Sequence, residues 1–218
     1  MMNPLFKLGL CGAQGSGKTT LAKHFSDKTG IPYFDANVRG ILARNGFDCR
    51  ADMSLSEYMR MQKTVCFELL SSYPDESFVT DRTPIDVVAF TLAYIPPTIT
   101  IDTELGKDIE LLMIDIIESA RLSMERNFSN AILLRGSFVP SDDSTRTDRA
   151  STHLAYRMKL ESLMEGEFRR FVEFSYSNSI EFAVMPTDIT DLTKRNEPLT
   201  RLYEKHIDRF GYASSTSH

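Results

Sequence analysis

The sequence predicts an α/β fold, a parallel sheet with helices on both faces. Two observations carry this. Short apolar runs alternate with amphipathic helical stretches along the chain, the pattern of strands joined by helical crossovers. The first apolar run also leads straight into glycines and then a helix. The 218 residues are 42% hydrophobic and 25% charged, enough to bury a substantial core. No internal repeat and no linker divides the chain, so residues 1–212 read as one domain, with 213–218 a flexible tail of small polar residues.

Phe6 to Leu10 is the first strand, buried and apolar. Thr20 to Lys28 follows as a helix with Leu21 and Phe25 on one face, stopped by Gly30. Pro32 to Asp35 is a short second strand, and Val38 to Arg44 a helix ending at Asn45-Gly46. Ser54 and Glu57 form a capping-box pattern that starts a helix running to about Ser72. Ser77 to Thr80 is the third strand. The run Asp81-Arg82-Thr83-Pro84 opens another helix, with Pro84 in its first turn. Thr103 to Arg126 has the clearest helical period, with Leu105, Ile109, Leu112, Ile116, Ala120 and Met124 on one stripe. Ala131 to Leu134 is the fourth strand. After a polar loop from Ser141 to Ser151, a long helix carries Leu160, Leu163, Met164, Phe168 and Phe171. Ile180 to Val184 is the fifth strand. A final helix, Pro198 to Arg209, sets Leu199, Leu202, Tyr203, Ile207 and Phe210 on its apolar side.

The bulk chemistry excludes several classes. A net charge of −5 argues against a surface that tracks nucleic acid throughout, though one basic cleft stays compatible with it. Three cysteines, Cys11, Cys49 and Cys66, have neither a disulfide framework nor metal-ligand spacing, which suits a reducing cytoplasm. No apolar run is long enough to span a membrane, and the N-terminus shows no leader pattern.

Gly12-Ala13-Gln14-Gly15-Ser16-Gly17-Lys18-Thr19 fits G-x-x-x-x-G-K-[ST] without deviation, between a strand and a helix as the motif requires. Glycines let successive backbone N–H groups curl around an anion, and the helix start adds partial positive charge. Lys18 is placed to reach the β- and γ-phosphates of a nucleoside triphosphate, and the Thr19 hydroxyl to hold Mg²⁺, with Thr20 completing the binding stretch. The motif is specific for triphosphate binding, with ATP and Mg²⁺ expected, and not for the reaction.

Asp81 ends the third strand, where an acid stands beside the phosphate loop and can hold the metal. Arg82 then points toward phosphate, and Asp86 lies in the first turn beyond. The competing reading makes Asp81 a helix cap and Arg82 a surface ion pair. Asp35, at the end of the second strand, and Arg39, one helical turn later, can face one acceptor. Either Asp35 or Asp81 suits proton acceptance, and Arg39 suits an acceptor phosphate. Gln62 and Glu57 are weaker candidates for base or sugar contacts. Arg146 and Arg149, three apart in the polar loop, suit a lid over about 139–152 that neutralises the transferring group.

Together these pieces resemble the P-loop nucleoside and nucleotide kinase superfamily. The resemblance implies sheet order 2-3-1-4-5, a lid, and Lys18, Thr19, Arg146 and Arg149 as catalytic electrostatics, with Pro186-Thr187 near adenine. The run through Val38-Arg39, Gln62, Asp81-Arg82 and Asp86 is similar to the kinase-like ATPase branch that includes ribosylnicotinamide kinase domains and bacteriophage deoxynucleotide and DNA-base kinases. The expected activity is phosphoryl transfer from ATP to a (deoxy)nucleoside monophosphate, because the arginines exceed what ATP alone needs. A nucleoside, ribosylnicotinamide, a modified base in DNA, or an ATP-driven switch are the alternatives. A monomer or homodimer is expected.

Overall fold

A computed structural model describes residues 5–48, 53–96, 99, 102–136, 154–175 and 180–211. The proposed lid with Arg146 and Arg149, the tail, and Cys49 lie outside the described residues, as does the Phe210 side chain. The elements, in order, are β1 Lys7–Cys11, α1 Lys18–Thr29, β2 Tyr33–Phe34, α2 Val38–Arg44, α3 Leu55–Leu70 and β3 Phe78–Thr80. They continue with α4 Pro84–Tyr94, α5 Glu104–Asn127, β4 Asn130–Leu134, α6 Leu154–Phe174, β5 Glu181–Met185 and α7 Leu192–Gly211. The strands form one five-stranded sheet of order β2-β3-β1-β4-β5, and every pairing is parallel. The order implied by the resemblance is the order found.

Strand alternation divides the core. Leu8, Leu10, Val79, Ile132 and Leu134 point to one face, where α1 and α7 cover them through Leu21, Phe25 and Leu199. Cys11, Phe78, Ala131 and Leu133 point to the other, under residues of α3 to α6 such as Leu69, Val88, Ile116 and Leu160. The second cluster is much the larger. Gly9 faces it and allows a close approach: a Cβ there would lie 2.5 Å from Thr83 Cγ2 and 2.9 Å from the Phe128 ring. The missing side chain is what lets the start of α4 sit against the central strand.

Local chemistry sets most boundaries. Ser54 and Glu57 form the expected capping box of α3, and Thr103 caps α5 through the Gly106 amide. The stripe Ile109, Leu112, Ile116, Ala120 and Met124 is buried as its period requires. The last helix is a correction. It begins at Leu192, after Asp191 accepts from the Lys194 amide at 2.9 Å, and Pro198 lies inside it rather than in its first turn. Pro198 lacks an amide donor and crowds the carbonyl four residues earlier, a cost set against the burial of its neighbour Leu199 in the core. Ile207 on that helix is exposed. Among the described residues, no helix is long and apolar enough to cross a membrane.

Candidate active site

The loop between β1 and α1 can be built only with glycine at its first position. Gly12 has φ 146°, and a Cβ there would collide with the Leu134 carbonyl oxygen of β4. At the far end, α1 has no side-chain cap and no acid in its first turn, whereas Asn37, Ser54, Thr83 and Thr103 cap the next four helices. The α1 amides are thus left for another acceptor. Ser16 Oγ is buried with no hydrogen-bond partner among the described residues. Lys18 is buried, and its Nζ donates to the Gly12 carbonyl at 2.5 Å and the Ala13 carbonyl at 3.0 Å. Burial lowers its pKa to about 8; Asp86 pulls it back up, Arg82 pushes it down, and Asp81 and Cys11 raise it slightly.

The sheet register brings two acids beside this loop. Thr80 of β3 pairs with Gly9 of β1 on one side and Phe34 of β2 on the other. Asp81 and Asp35 therefore follow paired residues at adjacent strand ends. The Thr19 hydroxyl donates to Asp81 Oδ2. Arg82 is half-buried, with Nη1 3.8 Å from Asp86 Oδ1 and its guanidinium 4.7 Å above the Phe90 ring. Thr83, not Asp81, caps α4. Its amide and hydroxyl donate to Asp86 Oδ2 at 2.9 and 2.7 Å, so Asp86 closes a capping box. Burial raises the Asp86 pKa, against the lowering effects of Lys18, Arg82 and the Thr83 hydrogen bonds. Asp86 Oδ1 has no hydrogen bond among the described residues.

On the acceptor side, Asp35 is exposed and its Oδ1 accepts from the Asn37 amide at 2.9 Å. Arg39 is exposed in the first turn of α2. Gln62 is buried between α3 and α4, at 3.1 Å from the Thr91 hydroxyl. Glu57 is occupied by Ser54, from which it accepts both the amide and the hydroxyl. The phosphate loop, Asp35, Asp81, Arg82 and Asp86 thus share one end of the sheet, while Gln62 and Glu57 lie along α3.

A family model described as an AAA domain matches residues 7–177. The chain belongs to this AAA domain family. A search of curated proteins by sequence gives no match. Among solved structures, the chain is similar to a deoxyadenosine kinase from M. mycoides with bound dCTP. The identity is 17%, the match covers 92% of this chain and 100% of that one, and the TM-score is 0.62. It is similar to a shikimate kinase from Acinetobacter baumannii at 14% identity, with 93% and 95% of the two chains covered and a TM-score of 0.52. It is also similar to NadR protein in complex with NR at 14% identity, with 93% of this chain but 52% of that one covered and a TM-score of 0.55. The shared property is the P-loop kinase fold.

In this AAA domain the residues present fit Mg²⁺ and a triphosphate. The Thr19 hydroxyl and Asp81 carboxylate are hard oxygen donors in mutual contact, the number Mg²⁺ takes from protein when phosphates and water complete its shell. The uncapped α1 start and the unpartnered Ser16 hydroxyl suit phosphate oxygens.

Two residues at the site escaped the sequence reading. Tyr33 is half-buried, and burial, then Asp81 and Asp35, push its hydroxyl pKa well up. It stands two residues before Asp35, on the same side of an extended strand, so strand periodicity could have found it. Arg195 of α7 is buried, and its Nη1 donates to the Ser16 carbonyl at 2.8 Å. No local signal marks it, because 179 residues separate the partners, and it lies beyond the matched range.

Proposed function

We propose that this AAA domain is an ATP- and Mg²⁺-dependent kinase that phosphorylates the hydroxyl of a nucleoside-type acceptor. The observation that supports it best is the Thr19–Asp81 contact beside buried Lys18, with the exposed Asp35 carboxylate at the adjacent strand end. Lys18 and the loop amides neutralise charge on the β- and γ-phosphates, where phosphoryl transfer needs it. Thr19 and Asp81 would hold Mg²⁺, which when bound would add positive charge beside the phosphates. Asp35 accepts the proton of the attacking hydroxyl. Arg146 and Arg149, which lie outside the described residues, are the candidates the sequence offers for neutralising the transferring group. The likeness to a deoxyadenosine kinase and to NadR protein in complex with NR favours an acceptor of this class.

A nucleoside monophosphate is the second reading, supported by Arg39 one turn beyond Asp35. Arg82 gives it less support than the sequence suggested, because that guanidinium is already engaged with Asp86 and Phe90.

An ADP-release assay with Mg·ATP tests both. The panel contains deoxy- and ribonucleosides, their monophosphates, ribosylnicotinamide, and DNA carrying hydroxymethylated bases. Stimulation by a free nucleoside supports the first reading and by a monophosphate the second. Steeply salt-dependent activity on DNA points to a nucleic-acid acceptor. Slow hydrolysis that no acceptor stimulates sinks the kinase proposal and favours an ATP-driven switch.

A further inference from the structure

Arg195 is an unusual cation for its position. It is 9% exposed, burial lowers its pKa, and among the described residues no carboxylate forms an ion pair with it. Its partners are two backbone carbonyls, Ser16 through Nη1 at 2.8 Å and Ile189 through Nε at 2.5 Å. Ser16 belongs to the phosphate loop. Ile189 belongs to the segment between β5 and α7. One planar guanidinium therefore ties the two segments together, which a lysine ammonium cannot do with the same fixed geometry.

The consequence follows from peptide planarity. The C=O of Ser16 and the N–H of Gly17 belong to one trans peptide unit and point in opposite directions. Holding the Ser16 oxygen toward α7 turns the Gly17 N–H away from it. Arg195 lies close against this unit: a Cβ on Gly17 would sit 3.2 Å from its Nη1. A buried positive charge with no counter-ion is also costly when the loop is empty, and less so when an anion approaches.

We infer that Arg195 is a positioning residue for polyphosphate. It fixes the Ser16–Gly17 peptide so that the Gly17 N–H faces the phosphates, and it adds a standing positive charge behind the loop. This rests on the nucleotide-binding part of the proposed function. It predicts a role for α7, outside the AAA domain match, in triphosphate affinity.

The experiment measures the Kd of Mg·ATP, Mg·ADP and adenosine for the full chain and for Arg195→Met and Arg195→Lys, with apo melting curves for each. Met keeps much of the aliphatic packing and loses both donors and the charge. The expected result is about a tenfold or greater loss of ATP and ADP affinity in Arg195→Met, with adenosine affinity unchanged. Arg195→Lys, which keeps the charge and loses the fork, recovers part of the ATP affinity. An Arg195→Met protein that melts as a folded chain and binds ATP like wild type overturns the inference. So does an equal loss for adenosine and ATP, which marks a general structural role. If Arg195→Met does not fold, Arg195→Lys decides: wild-type ATP affinity in that variant overturns the fork geometry. Wild type that binds no Mg·ATP overturns the nucleotide reading itself, and the inference with it.

Discussion

Lys18 concentrates the chemistry of the site in one side chain. It is held on the Gly12 and Ala13 carbonyls, and its pKa of about 8 leaves part of the population neutral near physiological pH. A bound triphosphate favours the charged form, so its pKa rises on binding. Binding at pH 8 to 9 should therefore take up protons, and ATP affinity should fall as pH rises above about 8. Calorimetry in buffers of different ionisation enthalpy measures the uptake; a buffer-independent heat across that range contradicts it. Lys18→Ala should lower turnover at least about a hundredfold, as loss of a preorganised charge at the transferring group does. Full activity in that variant would remove the mechanism. Asp35→Asn separates the acceptor readings. It should lower kcat with little change in ATP affinity if Asp35 is the base, and a kcat equal to that of the unmodified chain would deny it that role. At this scale the sequence was most informative where spacing alone sets geometry. The strand, loop and helix start around Gly12 to Thr19 need one local turn and were legible. Asp86 was harder, since Thr83-Pro84-Ile85-Asp86 reads equally as a capping pattern, and the structure shows that role.

Helix α4 shows how an element carries the site. Its start is anchored by the Thr83–Asp86 box and pressed onto β1 over Gly9. The carboxylate that caps it also faces Lys18 and Arg82. Thr83→Ala should destabilise the fold by about 1–2 kcal/mol, the usual cost of losing a cap, and should disturb ATP binding as well, because Asp86 loses its donors. Urea unfolding with parallel ATP titrations checks this; a stability loss with ATP affinity intact would separate the cap from the site. The Ser54–Glu57 box and the α5 stripe were legible because they depend on neighbours within a turn, whereas the Thr83 cap of α4 was not read. Nor was the start of α7: Pro198 is a local signal for a helix beginning, and only the packing of Leu199 against the sheet shows that the helix continues through it.

For the whole molecule, the alternation of apolar runs and helices disclosed the fold class, while the strand order came from the likeness to P-loop kinases. The contacts that join distant segments, such as Arg195 to Ser16, could not be read from either. If Mg·ATP binds only the native state, a hundredfold excess over Kd should stabilise the chain by about 2.7 kcal/mol, visible as a rise of several degrees in the melting temperature. No rise with ATP at that excess would argue against the site. The unequal division of the core has a further consequence. The layer formed by α1 and α7 rests on far fewer buried side chains than the layer opposite, yet it carries both the phosphate loop and its brace. Its amides should exchange with deuterated solvent through a partial opening well below global unfolding, earlier than those of α4 and β4. Occupancy of the loop should then slow exchange in α7, making the C-terminal helix a reporter of a ligand bound at the other end of the sequence.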